Sequence, residues 1–268
     1  MNDYEIHSGK IFTIIVNKLR AAGCVFAEDE ARLLIAFAGT TTELSDMVEL
    51  RTTGMPLEHI IGWAEFCGLR IIVDKGVFVP RQRTAFLVEQ AAALIRQKSV
   101  VLDLCCGSGA VGAVLAYLEQ IELYATDIDP VSVQCTRRNV TTAGGRVYEG
   151  DLFEPLPIIL RGCVNVIVAN TPYVPTKAIE FLPPEARIHE ARIALDGGTD
   201  GLDVQRRVVA VAPLWLAPGG HLLIETSERQ KPQTVDIFTS CGLITRVTRS
   251  DELDATVVIG TKPAPKTF

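Results

Sequence analysis

The sequence predicts an α/β fold: a seven-stranded, mostly parallel sheet with its last strand antiparallel, preceded by a small helical domain and a β-hairpin linker. Three observations predict it. From residue 85 onward, strand-sized apolar runs alternate with helical stretches, the pattern of a doubly wound sheet with helices on both faces. A glycine-rich turn, Gly107-Ser108-Gly109, lies between the first run and its helix. The first 58 residues lack such runs and carry helical periodicity instead.

In chain order, Ile11, Ile14, Ile15 and Leu19 predict one apolar helical stripe, with Gly23 as the stop. Glu28–Phe37 opens with acids, which suits the positive end of a helix. A third short helix is predicted over Leu44–Leu50. Trp63–Val73 reads as a β-hairpin with Cys67-Gly68 at its turn, and Pro80 ends the segment. The domain boundaries are therefore set at 1–58, 59–84 and 85–268. Helices are predicted over Phe86–Arg96, Gly109–Tyr117, Pro130–Ala143, Asp203–Leu216 and Pro232–Ser240, with Pro130 at a first helical turn. Strands are predicted over Val100–Leu104, Ile121–Thr126, Arg146–Glu149, Val164–Ala169, Gly220–Glu225, Leu243–Arg249 and Thr256–Gly260. The last two have no helix between them and should pair antiparallel.

Composition narrows the function classes. The 268 residues suffice for one large core and a smaller module. No apolar run approaches the roughly 18–20 residues needed to cross a bilayer. The opening MNDYEIHSGK is neither basic nor followed by an apolar stretch, so the expectation is a cytoplasmic protein with no membrane partner. The net charge of −6 and the lack of a Lys/Arg block disfavour a broad nucleic-acid footprint. Seven cysteines form no CxxC pair and only four histidines are present, so reduced thiols and no metal site are expected.

The first strand ends in Asp103-Leu104-Cys105-Cys106-Gly107-Ser108-Gly109. With Gly112 this satisfies GxGxxG, a weak signal on which a nicotinamide dinucleotide remains an alternative ligand. Asp103 can orient the turn and a ligand ammonium group. Asp127, with Ile128 after it, ends the second strand, where a carboxylate accepts hydrogen bonds from both ribose hydroxyls of a dinucleotide or of S-adenosylmethionine. Asp151-Leu152 follows the third strand, a polar–apolar pair suited to an adenine. Acidic or polar groups thus recur at the C-terminal ends of successive strands, the edge where open α/β sheets bind ligands.

The fourth strand runs into Asn170-Thr171-Pro172-Tyr173. Pro172 biases Thr171 toward an extended backbone, which can aim its carbonyl into the site beside the Asn170 side-chain carbonyl. Two acceptors then bind both hydrogens of an NH₂ group, and Tyr173 can pack on its plane. An amide nitrogen is a poor nucleophile, so orientation and electrostatics must carry most of the rate.

On these residues the chain resembles the protein-glutamine N5-methyltransferases of the HemK/PrmC type, which modify the GGQ glutamine of peptide-chain release factors. Gly54–Gly62 and Glu65–Leu69 resemble the linker signature of that family. Val79-Pro80-Arg81 and Thr84 resemble its PRPxT segment. Glu190 and Ala194–Asp203 resemble the stretch after the reactive motif, and Leu222–Glu225 with Gln230 the fifth strand and its exit. The resemblance implies a class I Rossmann-like methyltransferase fold and S-adenosyl-L-methionine as cofactor, held by Asp103, Cys105, Cys106, Gly107, Ser108, Gly109, Asp127, Ile128, Asp151, Leu152 and Asn170. It implies Asn170, Thr171, Pro172 and Tyr173 as the reactive motif, and substrate contacts at Arg81, Thr84, Asn170, Tyr173 and Glu190. It also implies a protein substrate, a release factor, recognised by the N-terminal helices. The sequence departs from the family pattern in four places: NTPY for NPPY, CCGSG for GTGSG, Arg83 for the acid of PRPET, and His59 for an aromatic. Asn-x-Pro-Tyr alone is shared with amino-directed nucleic-acid methyltransferases. A nucleobase or small-molecule amine as acceptor, and a non-catalytic cofactor-binding protein, therefore stand as alternatives.

Overall fold

The computed structural model describes residues 3–264. Four helices come first: α1 (Asp3–Ala21), α2 (Ala27–Phe37), α3 (Thr41–Thr52) and α4 (Leu57–Ile61). They close on Ile15, Val16, Leu19, Ala31, Leu34 and Val48. The expected α1 stripe is rotated: Ile11 and Ile14 are exposed, and Val16 takes their place inside. Two overlapping i, i+3, i+4 stripes run along this helix, and the one that also contains Phe12 and Val16 faces α2 and α3. α3 starts earlier than expected because Thr40 caps it, accepting from the Glu43 N–H, while the Glu43 carboxylate accepts from the Gly39 N–H.

The hairpin β1 (Trp63–Phe66) and β2 (Leu69–Ile72) pairs antiparallel, with Cys67 and Gly68 both left-handed at the turn, as tight hairpins require. Phe66 and Ile71 are buried against the large domain. The outer edge of β2 is closed by an amide: Asn139 accepts from the Ile72 N–H and donates to the Ile72 and Ser108 carbonyls.

The large sheet has the order β5-β4-β3-β6-β7-β9-β8. It comprises β3 (Val100–Leu104), β4 (Glu122–Asp127), β5 (Arg146–Glu149), β6 (Val164–Ala169), β7 (Leu216–Thr226), β8 (Ile244–Ser250) and β9 (Ala255–Thr261). β9 is antiparallel to both neighbours and the first five strands in the order are parallel. Helices α5 (Ala85–Ala92), α6 (Ala110–Leu118) and α7 (Pro130–Val140) cover one face. On the other lie α9 (Asp203–Trp215) and α10 (Lys231–Ser240), while the short α8 (Pro184–His189) sits beside a cavity. Alternate residues feed two cores: Val101, Val166 and Leu223 one way, Leu102, Ile167 and Leu222 the other. Burial on both faces explains why these strands read as continuous apolar runs.

Boundary differences are local. The helix expected to Arg96 ends at Ala92, its continuation tightening into turns around Leu94 and Ile95. The last turn of the helix expected to Ala143 is a separate 3₁₀ turn. β7 begins at Leu216 because Gly219 and Gly220 let the chain bend without leaving the sheet. Among the described residues no helix is long and apolar enough to cross a membrane.

The chain runs outward from β3 through β4 to β5, then returns to β6 on the other side of β3. That reversal leaves a crevice at the C-terminal ends of β3 and β6, where doubly wound sheets bind ligands.

Candidate active site

A cavity of about 650 Å³ opens at that crevice. Its floor is the loop after β3. Cys105 and Gly107 are left-handed there, at φ 54° and 57°, and turn the backbone back toward the sheet. Asp103 is 3% exposed beneath the loop and accepts from the Gly112 N–H at 3.0 Å. Burial pushes its carboxyl up to about 7, against the pull of that N–H. Asp127 accepts from the N–H groups of Gly107 (2.8 Å) and Asp129 (2.9 Å), so it braces the loop. Burial raises its pKa as well. A carboxylate has about four acceptor directions, so two remain for a ligand diol. An added Cβ on Gly107 would meet nothing within 4 Å, so the backbone faces open cavity. A buried acid and a half-buried one around an open glycine loop fit the ammonium and ribose of S-adenosylmethionine.

The loop after β5 supplies the next wall. The Gly150 N–H donates to the Asp127 carbonyl, Leu152 is left-handed, and Asp151 pairs with Arg207 of α9 at 2.5 Å. Arg207 carries no signal in the sequence. Cys105 and Cys106 both line the cavity, and burial pushes both thiols well above their usual range, so they remain neutral.

The loop after β6 forms the opposite wall. The Asn170 side-chain N–H donates to the Thr84 hydroxyl at 3.4 Å, which leaves its carbonyl oxygen free to accept. Thr171 is 1% exposed, and its hydroxyl has no partner among the described residues. Behind the motif, Gln230 donates to the Tyr173 carbonyl at 2.9 Å and to the Asp200 carbonyl at 3.1 Å. Gly197 and Gly201 lie against the carbonyls of Pro172 and Tyr173, where any Cβ would collide. The Gly197–Asp203 turn is therefore a backing plate for the loop after β6.

Residues 76–84 and the α8 segment close the mouth. Glu190 is buried and accepts from Arg81 and from the Val79 N–H. Burial raises its pKa and Arg81 opposes that rise. Arg83 donates to Glu225 at 3.1 Å and to the Tyr173 hydroxyl. The structure thus brings together every residue expected at the site except one. Gly109 does not line the cavity; it caps α6 at φ 77° and packs on Thr136. Glu225, 3% exposed, was not singled out for a site role, although the logic that marks Asp103 and Asp127 as strand-terminal acids applies to it equally.

A family model described as "Methyltransferase small domain" matches residues 68–200. The chain is 37% identical over 217 residues to the release factor glutamine methyltransferase of Geobacter sulfurreducens, covering 80% of this chain and 75% of that one. It is 39% identical over 202 residues to the one from Deinococcus radiodurans, covering 74% and 71%. Among solved structures, a methyltransferase from Pyrococcus furiosus superimposes with a TM-score of 0.55 at 18% identity, over 74% of this chain and 90% of that one. The E. cuniculi complex responsible for methylation of a translation termination factor gives 0.51 at 22% identity, over 70% and 99%. These two likenesses bear on the fold.

Proposed function

The chain belongs to the family of release factor glutamine methyltransferases, and on that premise we propose how it methylates the side-chain amide nitrogen of a protein glutamine. The acceptor is the glutamine of the GGQ motif in a peptide-chain release factor. S-adenosyl-L-methionine supplies the methyl group as an electrophilic sulfonium. Asp103 and the loop from Cys105 to Ser108 hold its amino acid end, Asp127 and Ile128 its ribose, and Asp151 and Leu152 its adenine.

The observation that carries the reading is the Asn170–Thr84 contact. With its N–H₂ side turned to Thr84, Asn170 presents an acceptor to the cavity, and the carbonyl of Thr171 supplies a second. Two acceptors fix both amide hydrogens of the target and raise electron density on its nitrogen. Tyr173 packs on the amide plane, and its own carbonyl is fixed by Gln230. Thr171 keeps the carbonyl that the reaction needs, so its difference from the family pattern leaves this geometry intact. Orientation in a closed cavity supplies most of the rate, and the proton leaves after transfer. Arg81 and Glu190 shape the substrate entrance. In the same reading residues 1–58 recognise the protein substrate, residues 59–84 join, residues 85–268 carry transfer, and the protein works in the cytoplasm beside translation.

Asn170→Ala tests the assignment. It is expected to abolish transfer to a peptide containing Gly-Gly-Gln while S-adenosylmethionine binds with affinity within about threefold, measured by calorimetry. Turnover at the parental rate in that variant overturns it.

A further inference from the structure

Tyr173 and Arg83 stand in contact at the cavity wall, and a buried carboxylate lies behind them. Glu225 is the penultimate residue of β7, is 3% exposed, and has one oxygen, Oε2, with no partner among the described residues. Its other oxygen accepts from Arg83 Nε at 3.1 Å. A terminal nitrogen of the same guanidinium donates to the Tyr173 hydroxyl, and its carbon stands 5.7 Å from the Tyr173 ring centre. The chain is held on both sides of Arg83, since Gln82 donates to the Glu65 carbonyl at 2.8 Å and Thr84 is 3% exposed, while the Arg83 side chain itself is 44% exposed. The guanidinium is planar and forked, so one group satisfies both partners in fixed directions.

We propose that Arg83 is a positioning residue, which ties the Tyr173 ring to the buried Glu225 carboxylate and so sets the plane on which the target amide lies. The inference rests on the amide-methylation reading for its kinetic consequence and on geometry alone for the relay. It gives a role to one of the four departures from the family pattern. An acid at position 83 would face Glu225 with like charge, whereas Arg83 opposes the rise that burial imposes on the Glu225 carboxyl. The charged groups around the phenol agree: burial raises the Tyr173 pKa, Arg83 and Arg81 lower it, and Glu225 raises it.

The test uses the full chain with Arg83→Gln, Arg83→Lys, Tyr173→Phe and the double variant Arg83→Gln/Tyr173→Phe. Arg83→Gln is expected to lower kcat on a Gly-Gly-Gln peptide by roughly ten- to hundredfold, the range for a lost charged hydrogen bond. S-adenosylmethionine affinity should stay within about twofold. Arg83→Lys should recover part of the loss. The double variant should be no slower than the worse of its two parents, because both changes cut one relay. Additive losses, or a fall in cofactor affinity equal to the fall in kcat, overturn the proposal. A second readout needs no substrate: with tyrosine labelled at its ring Cζ, the resonance that Tyr173→Phe removes should move in Arg83→Gln. An unmoved resonance overturns the relay. If the parent protein methylates no Gly-Gly-Gln peptide, the substrate reading fails and the resonance decides the relay by itself.

Discussion

Asp103 is a carboxylate that stability alone would not keep. Its folded pKa of about 7 lies above the ordinary value of about 3.9 for the unfolded chain. Between those values the native state holds a proton that the unfolded state has released, so this group removes stability from the free protein as pH rises from about 4 to 7. Asp103→Asn keeps an oxygen for the Gly112 N–H and removes the charge. It is expected to stabilise the free protein at pH 8 by on the order of 2 kcal/mol, read from a denaturant midpoint. It is also expected to weaken S-adenosylmethionine binding and to lack the fall in affinity expected of the parent below about pH 7. Equal stability at pH 8, or an unchanged affinity profile, contradicts this role. At this scale the sequence was informative where a polar residue interrupts a buried strand at its end, as at Asp103, Asp127 and Asn170. It was silent where a partner arrives from a distant helix surface, as with Arg207 on Asp151, because helix periodicity does not mark which exposed arginine turns toward a cavity.

Among the elements, the turn behind the Asn170–Tyr173 loop tolerates added side chains poorly. Gly201 stands at φ 81°, where a side chain is strained, and an added Cβ would overlap the Tyr173 carbonyl oxygen and crowd Gln230. Gly201→Ala is expected to cost about 1–3 kcal/mol of stability and to lower transfer more than tenfold, because the backbone that yields is the one carrying Tyr173. Parental kinetics in a folded Gly201→Ala protein would show that the turn merely caps the loop. All seven strands of the large sheet were legible; the interior ones are buried on both faces and leave unbroken apolar runs, whereas the edge strands β5 and β8 are largely exposed. Helix ends were less so: α5 stops four residues early because its last turns tighten, and no residue type marks that change. The buried stripe of α1 was misplaced because exposed Ile11 and Ile14 satisfy the same spacing as the buried set. The Thr40–Glu43 cap, by contrast, is a readable signature of the α3 start.

Across the whole molecule, the N-terminal helices are locked to the cavity wall by one buried cation. Arg51 donates to Glu30 at 2.6 Å within the bundle and to Glu185 of α8 at 2.6 Å, with the Met55 carbonyl also in reach. Glu185 lines the cavity. Arg51→Ala leaves Glu30 buried without its partner and is expected to cost about 3–5 kcal/mol. Turnover of an intact release factor should fall more than turnover of a short peptide, because the bundle's pose on α8 is what changes. Equal effects on both substrates would detach the bundle from substrate recognition. The central claim, that this cavity methylates a protein glutamine amide, is tested most directly by incubating the protein with S-adenosylmethionine and an intact release factor and mapping the product by tandem mass spectrometry. The account predicts one added methyl on the side-chain nitrogen of the Gly-Gly-Gln glutamine, absent with Asn170→Ala. A methyl at any other residue, or an unmodified release factor alongside a methylated nucleobase or small amine, would contradict it.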